Sequence, residues 1–235
     1  MTTLKTKPTF LYDDCCPLCR GYTKSFTALG WADRAPFSRV DAVTLDDLDM
    51  DRARHHIPLH DADGETRYGL DGILNVVEAS APLLGRLGRL PPVRATLDRL
   101  YWFITYNRRH IVTAAPPTKG VDCAPDFEPE PVAAYLTFCG VGATALAGIA
   151  GAPAIVGGAT AAGAALVVDR DEGWEINDME AAGHVGSVAL ATAIVAAAMK
   201  GVGAPAPVVT AAAATTAVRK LWLRRWMRTP GKRIR

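Results

Sequence analysis

The residues best suited to chemistry in this sequence are two cysteines with two residues between them, Cys16 and Cys19. A cysteine thiolate is a nucleophile, and its pKa falls at a helix N-terminus and in Cys-x-x-Cys segments. Pro17 favours the first position of a helix, which places Cys16 at the N-cap and Cys19 within the first turn. The expected chemistry is therefore attack on a disulfide by Cys16, followed by resolution of the mixed disulfide by Cys19.

Two charged residues beside the pair bear on its reactivity. Arg20 lies one turn into the predicted helix, where its charge adds positive potential near the thiols. Asp13 stands at the end of the preceding strand, from which its carboxylate can accept a proton from Cys19. The candidate catalytic residues are therefore Cys16, Cys19 and Asp13.

A Cys-x-x-Cys segment is also half of a typical zinc site. The remaining ligands would come from a neighbouring thiol and two imidazoles, namely Cys15, His55 and His56. Because the sequence has no second Cys-x-x-Cys segment, we predict no metal. A third interpretation, two inert thiols at a helix end, stays open at this point.

The number and placement of the cysteines also indicate a compartment. Five cysteines are an odd count in a chain of 235 residues, which argues against a secreted disulfide framework. Residues 1–10 lack the apolar segment of a signal peptide. We therefore expect the N-terminal half to stay in the reducing cytosol, where close thiols do redox or metal chemistry rather than cross-linking.

The elements around the pair are typical of a small α/β domain. Apolar residues at helical spacing predict a helix over 17–29, preceded by a buried strand over 9–13. The other predictions are a strand over 35–40, an acidic helix over 45–54, a hairpin over 57–68 turning at 61–64, a helix over 71–87 capped by Asp71, and a helix over 93–112. The order β-α-β-α-β-β-α is typical of a thioredoxin-like fold. Pro58 opens the hairpin with either a cis or a trans peptide bond.

The segment from Tyr12 to Arg20 resembles the Asp-x-x-Cys-x-x-Cys signature of the DCC family of thiol–disulfide oxidoreductases, with Asp13, Cys16 and Cys19 at the matching positions. Two weaker likenesses extend the resemblance over residues 8–112: the hairpin residues Asp63–Gly64 with Tyr68–Gly69, and the closing-helix residues Tyr101–Ile104 with Asn107–Arg108. The resemblance implies a thioredoxin-like domain, thiol–disulfide exchange and no organic cofactor. The sequence departs from the family at Asp14, where glycine is usual, and at Cys15, an additional thiol.

The second half of the chain has a different composition. Residues 132–168 contain no Asp, Glu, Lys or Arg in 37 consecutive positions and are rich in Ala, Gly and Val. A membrane span needs about 20 apolar residues. The candidate spans are 132–168, as two short helices broken at 151–153, then 181–199 and 207–223, which gives two to four spans. The alternative is a water-soluble, Ala-rich helical bundle.

Charge placement predicts the orientation of these spans. The last 17 residues carry eight positive charges and no acidic residue, so the positive-inside rule places the tail in the cytoplasm. With the N-terminal domain on the same side, the number of spans is even. The acidic segment 169–180 then lies outside with two spans and inside with four. The tail is also expected to bind anionic lipid.

The sequence as a whole predicts an α/β thioredoxin-like N-terminal domain followed by an all-α, Ala/Gly-rich, membrane-embedded region. The predicted limits are a domain at 1–112, a Pro-rich linker at 113–131, a helical region at 132–223 and a basic tail at 224–235. The predicted function is a membrane-anchored, cytoplasm-facing thiol–disulfide oxidoreductase whose substrate is a protein or small-molecule thiol or disulfide. The alternative is a non-catalytic membrane protein whose N-terminal domain binds a partner or a metal.

Overall charge and residue size bear on the remaining partners. The formal net charge is only +2, so nucleic-acid binding is not expected, whereas contact with membrane lipid is. Small residues in the apolar helices permit close helix contacts, through which a homo-oligomer would form. A third hypothesis, an oligomerising channel-like module regulated by the redox domain, rests on composition alone.

Overall fold

The computed structural model describes residues 7–13, 16–40, 48–61, 63–112, 125, 128–150 and 178–227. Contacts between residues divide the chain into two units, Met1–Phe127 with Thr229–Arg235, and Glu128–Arg228. The described part of the first unit contains strands and helices, and that of the second contains helices.

A four-stranded mixed sheet forms the centre of the N-terminal unit. Its strands are β1 (Thr9–Tyr12), β2 (Asp33–Pro36), β3 (Pro58–His60) and β4 (Thr66–Tyr68), in the spatial order β2-β1-β3-β4. β1 pairs in parallel with β2, whereas β3 is antiparallel to both β1 and β4. This sheet with its helices is consistent with a thioredoxin-like domain, and it places β1, which leads into the cysteine pair, in the interior.

Both faces of β1 are buried because successive side chains point to opposite sides of a strand. Phe10 is fully buried and packs in a cluster with Leu59 and Val76. Leu11 packs on the opposite face, in a cluster with Phe37. Packing on two sides fixes the end of β1, from which the chain enters the cysteine pair.

Helix α1 (Pro17–Ala28) begins almost directly after β1 because its N-terminus is well capped. Cys16 occupies the N-cap in an extended conformation, and Pro17 stands at the start of the helix, where its missing N–H costs no hydrogen bond. Tyr22 and Phe26 pack against the phenylalanine ring of β1 at centroid distances of 6.5 and 5.2 Å. The predicted strand and helix on either side of the pair are confirmed.

The N-terminal unit contains four further described helices in addition to α1. They are α2 (Met50–His55), α3 (Gly69–Ser80), α4 (Pro82–Arg89) and α5 (Pro91–Ile111), and a 3₁₀ turn, Phe37–Arg39, follows β2. The predicted hairpin is confirmed as β3 and β4, and the peptide bond before Pro58 is trans. The predicted last helix is confirmed as α5, which begins two residues earlier because both of its prolines fit a first turn.

The second strand lies earlier than predicted, at residues 33–36 rather than 35–40. Its pairing with β1 ends at Pro36. The chain then turns, and the N–H of Val40 donates to the C=O of Phe37 at 3.3 Å. Phe37 is buried within that turn, so the apolar pattern that suggested a longer strand comes from a turn that packs on the sheet.

The helix predicted over 71–87 is two helices because a proline interrupts it. α3 and α4 are separated by one residue, Ala81. Pro82 has no N–H for the next helical hydrogen bond, and its ring disfavours a helical conformation for the residue before it. Ala81 accordingly has φ −141° and ψ 77°, outside the helical region.

Two helix starts also differ from the prediction or lie partly outside the described residues. α3 begins at Gly69, so Asp71 is not its N-cap but lies in its first turn, where its carboxylate accepts a hydrogen bond from Arg94 at 2.6 Å. The acidic helix predicted over 45–54 is described only as α2, since residues 41–47 lie outside the described part of the chain.

The described helices of the second unit are α6 (Pro129–Ala150), α7 (Asp178–Gly201) and α8 (Ala206–Met227). α7 packs against both of the others. A Cβ on Gly186 of α7 would lie only 3.1 Å from the Cβ of Cys139, so α6 and α7 approach closely at that point. The end of α6 coincides with the predicted break at 151–153, which itself lies outside the described residues, as do most of the predicted linker and the basic tail.

Among the helices in the described part of the chain, one is long and apolar enough to cross a membrane. It is the segment Ala182–Gly201 of α7, with a mean hydropathy of 1.7. The C-terminal part of α8 carries Arg219 and Lys220, which makes that helix less apolar than the predicted span 207–223 requires. The described residues therefore give one candidate span where two to four were predicted.

Candidate active site

The two thiols lie at the junction of β1 and α1, with Cys16 7% and Cys19 6% exposed. The N–H of Cys19 donates to Sγ of Cys16 at 3.2 Å. The N–H of Cys16 donates in turn to the backbone C=O of Asp13 at 3.2 Å. The structure thus brings together the three residues that the sequence selected as catalytic candidates.

The surroundings give the two thiols very different acidities. The pKa of Cys16 is lowered to about 7, chiefly because the side chain of Cys19 donates a hydrogen bond to its sulfur. Burial raises the pKa and so opposes this shift, whereas the N–H of Cys19 and the charge of Arg108 lower the pKa further. The same side-chain hydrogen bond raises the pKa of Cys19, and burial raises it further. Above about pH 7 the reduced pair therefore holds one proton, on Cys19.

The cation that contacts the pair comes from α5, far along the chain. Nη1 of Arg108 lies 3.9 Å from Sγ of Cys19, a hydrogen bond of the length sulfur allows. Nη2 of the same guanidinium donates to the backbone C=O of Arg54 at 3.1 Å, which fixes its orientation. The charge of Arg108 lowers the pKa of both thiols.

The sequence predicted Arg20 for this electrostatic role, and the structure corrects that assignment. Arg20 is exposed, and its backbone C=O accepts a hydrogen bond from Arg34 at 3.1 Å. Sequence reasoning missed Arg108 because it is 89 residues from Cys19. The sequence did hold one sign of Arg108, which lies in the segment that resembles the closing helix of the DCC family. That resemblance assigned no role to the residue.

Asp13 lies half-buried where β1 ends, one hydrogen bond from the N-cap. Its negative charge raises the pKa of both Cys16 and Cys19. The carboxylate is therefore within electrostatic reach of both thiols, and a proton acceptor must in addition come within hydrogen-bond distance of the thiol, directly or through one water. That role stays a prediction, as do the roles of Asp14 and Cys15, which lie outside the described residues.

The imidazoles named as zinc ligands pack instead against aromatic rings of α5. The ring of His55 lies 5.6 Å from that of Tyr106, and the ring of His56 stacks on Tyr101 at 5.8 Å. Nowhere in the described part of the chain do three His, Cys, Asp or Glu side chains meet as a metal site would require. The zinc interpretation gains no geometric support from these residues.

A cleft with a volume of about 400 Å³ opens beside the pair. Cys19 and the positively charged Arg108 form part of its wall. Most of the other lining residues are apolar or aromatic, including Leu18, Tyr22, Phe26, Ile73 and Ile104. Tyr101 also lines the cleft, and its hydroxyl accepts a hydrogen bond from the N–H of Ile57 at 3.1 Å. A space of small-molecule size therefore adjoins the less acidic thiol.

Comparison with protein families supports the chemistry that this geometry suggests. A family model described as DCC1-like thiol-disulfide oxidoreductase matches residues 10–114, a stretch that contains the sheet, the cysteine pair and Arg108. Comparison with curated proteins and with solved structures found no match. The DCC resemblance read from the sequence is confirmed, and it carries a redox function at the level of the family. The matched stretch, 105 of the 235 residues, is similar to the DCC1-like thiol-disulfide oxidoreductase family.

Proposed function

We propose that this chain is a membrane-anchored thiol–disulfide oxidoreductase in which Cys16 is the nucleophile and Cys19 the resolving thiol. The observation that carries the proposal is the hydrogen bonding at the N-cap: the backbone N–H of Cys19 lies 3.2 Å from Sγ of Cys16. This contact stabilises a thiolate on Cys16 and leaves the proton on Cys19, which is the division of labour that disulfide exchange needs.

Exchange proceeds in two substitutions at sulfur. The Cys16 thiolate attacks one sulfur of a substrate disulfide, so a mixed disulfide forms and the other substrate sulfur leaves as a thiolate that takes up a proton. Cys19 then loses its proton, with Asp13 as the proposed acceptor, and its thiolate attacks Sγ of Cys16. The second substrate thiol leaves, the substrate has gained two electrons, and the protein holds a Cys16–Cys19 disulfide. A dithiol donor returns the pair to the reduced state by the reverse steps.

Membrane anchoring is the second part of the proposal. The segment Ala182–Gly201 supports it, because its 20 residues match the length of a span. We propose that the N-terminal domain and the basic tail face the cytoplasm, that the number of spans is even, and that the tail contacts anionic lipid. Self-association through small helix residues is part of the same proposal, and nucleic acid is not among the proposed partners.

Trapping of the mixed disulfide tests the chemical part of the proposal. In the full chain, Cys19→Ser should capture bis(2-hydroxyethyl) disulfide as a stable adduct on Cys16, seen as a mass increase of the intact protein. Adding Cys16→Ser to this variant should abolish capture, and adding Cys139→Ser, a matched control at a buried thiol of the second unit, should leave capture unchanged.

The same assay distinguishes the alternatives. Equal loss of capture when either Cys15→Ser or Cys16→Ser is added to Cys19→Ser would make the additional thiol a participant and overturn the assignment of roles. No capture by Cys19→Ser, together with no difference between the parent and Cys16→Ser, would favour the non-catalytic membrane protein that binds a partner or a metal.

A further inference from the structure

The cleft beside the cysteine pair is lined mostly by apolar and aromatic side chains, which thiol–disulfide exchange by itself does not require. Its walls come from α1 and α5, with one residue of α3 and with Ile57 just before β3, and they present Tyr22, Phe26, Ile73 and Ile104 to a volume of about 400 Å³. Ile104 is 39% exposed, so an apolar side chain stands partly in solvent beside a redox-active pair. Small-molecule sites are concave, mostly apolar spaces of this size with few polar groups.

The polar groups of the cleft are already engaged in the protein. Arg108 donates to Sγ of Cys19 and to the C=O of Arg54. The hydroxyl of Tyr101 accepts from the N–H of Ile57 and shares a hydrogen bond with the side chain of Thr105, the other hydroxyl of the lining. A charged substrate entering this space would give up its hydration for few new hydrogen bonds, whereas an apolar group would bury surface against aromatic and aliphatic walls.

We propose that this cleft binds the apolar portion of a small disulfide substrate, which makes low-molecular-weight disulfides with an aromatic or aliphatic group the preferred substrate class. The inference rests on the proposed function and specifies its substrate. A small molecule fits better than a protein segment because the volume is that of a ligand pocket.

The position of Cys19 in the cleft wall gives this binding a place in the exchange. Cys16 attacks the substrate sulfur that carries the apolar group, and the other substrate sulfur leaves and is protonated. The apolar group, now linked to Cys16 through a disulfide, stays in the cleft beside Cys19. Cys19 loses its proton and attacks Sγ of Cys16, which releases the apolar thiol and completes a two-electron reduction of the substrate.

Paired substrates test the inference on the full chain in one detergent. The probes are bis(2-hydroxyethyl) disulfide and benzyl 2-hydroxyethyl disulfide, both uncharged and differing in one apolar group. We expect kcat/KM to be roughly tenfold higher for the benzyl compound, the discrimination that an apolar pocket gives. The two values are compared as a ratio, so that partition into micelles is the same for every variant.

Two variants and one control test whether the ratio of the two kcat/KM values depends on the cleft. Ile104→Gln places an amide at the rim, and Gly21→Leu adds a side chain to a lining position where a Cβ meets no atom within 4 Å, so a folding defect in one leaves the other to decide. Both should bring the ratio close to one. Leu83→Gln, on α4 and 80% exposed outside the cleft lining, should keep the ratio of the parent.

The outcomes separate the inference from the proposed function. Equal kcat/KM for both disulfides in the parent, or the same ratio in all variants, would overturn the assignment of the cleft and leave the redox function standing. Reduction of a protein disulfide with neither small disulfide accepted would overturn the small-molecule substrate alone. Identical rates in the parent and in Cys16→Ser would overturn the proposed function and the inference with it.

Discussion

Cys16 and Cys19 have the same side chain and nearly the same exposure, 7% and 6%, yet only Cys16 is poised to ionise near neutral pH. The difference in pKa comes from the direction of the hydrogen bonds between the two residues: Sγ of Cys16 accepts them, and the thiol of Cys19 donates one. The N-cap position gives Cys16 a backbone N–H as a partner, which a residue one turn later in the helix does not have.

Alkylation of the reduced full chain should report this difference. Iodoacetamide should modify Cys16 first, with a rate that rises with pH to a midpoint near 7, because only the thiolate reacts. Cys139 is 1% exposed and should react only after denaturation. Peptide mass spectrometry over a range of pH would measure both. Earlier modification of Cys15 or Cys19 would show that the nucleophile has been misassigned.

Removal of the guanidinium at position 108 should make Cys16 less acidic. In Arg108→Met the positive charge near both thiols is lost, so the pH midpoint of alkylation should rise and the rate at pH 7 should fall roughly threefold. The comparison variant Arg99→Met removes an exposed charge from the same helix and should leave the profile unchanged.

Arg108→Lys separates electrostatics from structure, because Arg108 also donates to the backbone C=O of Arg54. Lysine keeps the charge and loses the planar fork, so most of the original pH midpoint should return. If Arg108→Lys shifts the midpoint as far as Arg108→Met, the guanidinium acts by holding the backbone in place rather than by its charge.

At the residue scale, the sequence predicts what depends on neighbours along the chain. Pro17 and the spacing of the cysteines locate the N-cap, because capping involves residues within one turn. The contact of Arg108 with Cys19 joins residues 89 positions apart, and it depends on how α5 packs across the domain. No local pattern in the sequence carries that information, and Arg20 was chosen because it was near in sequence.

At the scale of elements, α4 packs in an unusual way, with its glycines facing the protein. A Cβ on Gly85 would overlap Cα of Glu78, and one on Gly88 would lie 2.7 Å from Cδ2 of Leu74. The leucines of the same helix are turned outward, Leu83 with 80% of its surface exposed. The approach of α4 to α3 therefore depends on the absence of side chains at two positions.

Gly85→Ala should destabilise the N-terminal unit. The new methyl group would meet the backbone of Glu78 rather than the end of a flexible side chain, so α4 must move away from α3. Overpacking of this kind costs about 1–3 kcal/mol in the free energy of unfolding. The measurement is the urea midpoint, followed by a signal from the N-terminal unit.

Gly21→Ala is the matched control in a helix of the same unit. A Cβ there meets no atom within 4 Å, and replacing a helical glycine with alanine stabilises by about 0.5–1 kcal/mol. The two substitutions should therefore move the urea midpoint in opposite directions. A rise of the midpoint in both variants would show that α4 is free to shift at no cost.

The order of elements was predictable and some of their boundaries were not. The strand, cap and helix around the pair are specified by local residues, whereas the start of β2 at Asp33 is set by pairing with β1. The break between α3 and α4 was visible in the sequence as Pro82, and the prediction gave the apolar periodicity of 71–87 more weight than the missing N–H.

For the whole molecule, anchoring by α7 makes a prediction about fractionation. The full chain should stay in the membrane pellet after an alkaline wash, because Ala182–Gly201 has the length and hydropathy of a span. Ile194→Arg places a charge at a position of that segment that is 50% exposed, and it should move part of the protein into the wash. Release of the parent chain by alkali would contradict anchoring.

Orientation is a separate prediction. Tags before Met1 and after Arg235 should both be protected from an impermeant reagent applied to intact cells, because eight cationic residues end the chain. A tag at Gly173 then counts the spans: access from outside indicates two, and protection indicates four. Ends on opposite sides would mean an odd number of spans and would remove the cytoplasmic placement of Cys16.

At the scale of the whole molecule, amino-acid composition was what predicted the division of the chain. The absence of charged residues over 132–168 separates the halves of the chain without reference to any motif. The starts of α6, α7 and α8 lie within three residues of the predicted apolar segments, because each segment is preceded by prolines or acidic residues. Composition does not give the number of spans, since Ala and Gly are too weakly lipophilic for hydropathy to decide.

The single proton of the reduced pair also determines how its midpoint potential depends on pH. Closing the disulfide releases two electrons, with two protons below the Cys16 pKa of about 7 and one proton above it. Each proton changes the potential of a two-electron couple by about 30 mV per pH unit, so the slope falls from about 59 to about 30 mV per unit as pH rises. A dithiol whose two thiols both stay protonated keeps the steeper slope. Both potentials fall as pH rises, but that of this pair falls less, so an increase in pH shifts electrons from such a dithiol to this protein and makes its cysteine pair the stronger oxidant of the two in alkaline surroundings.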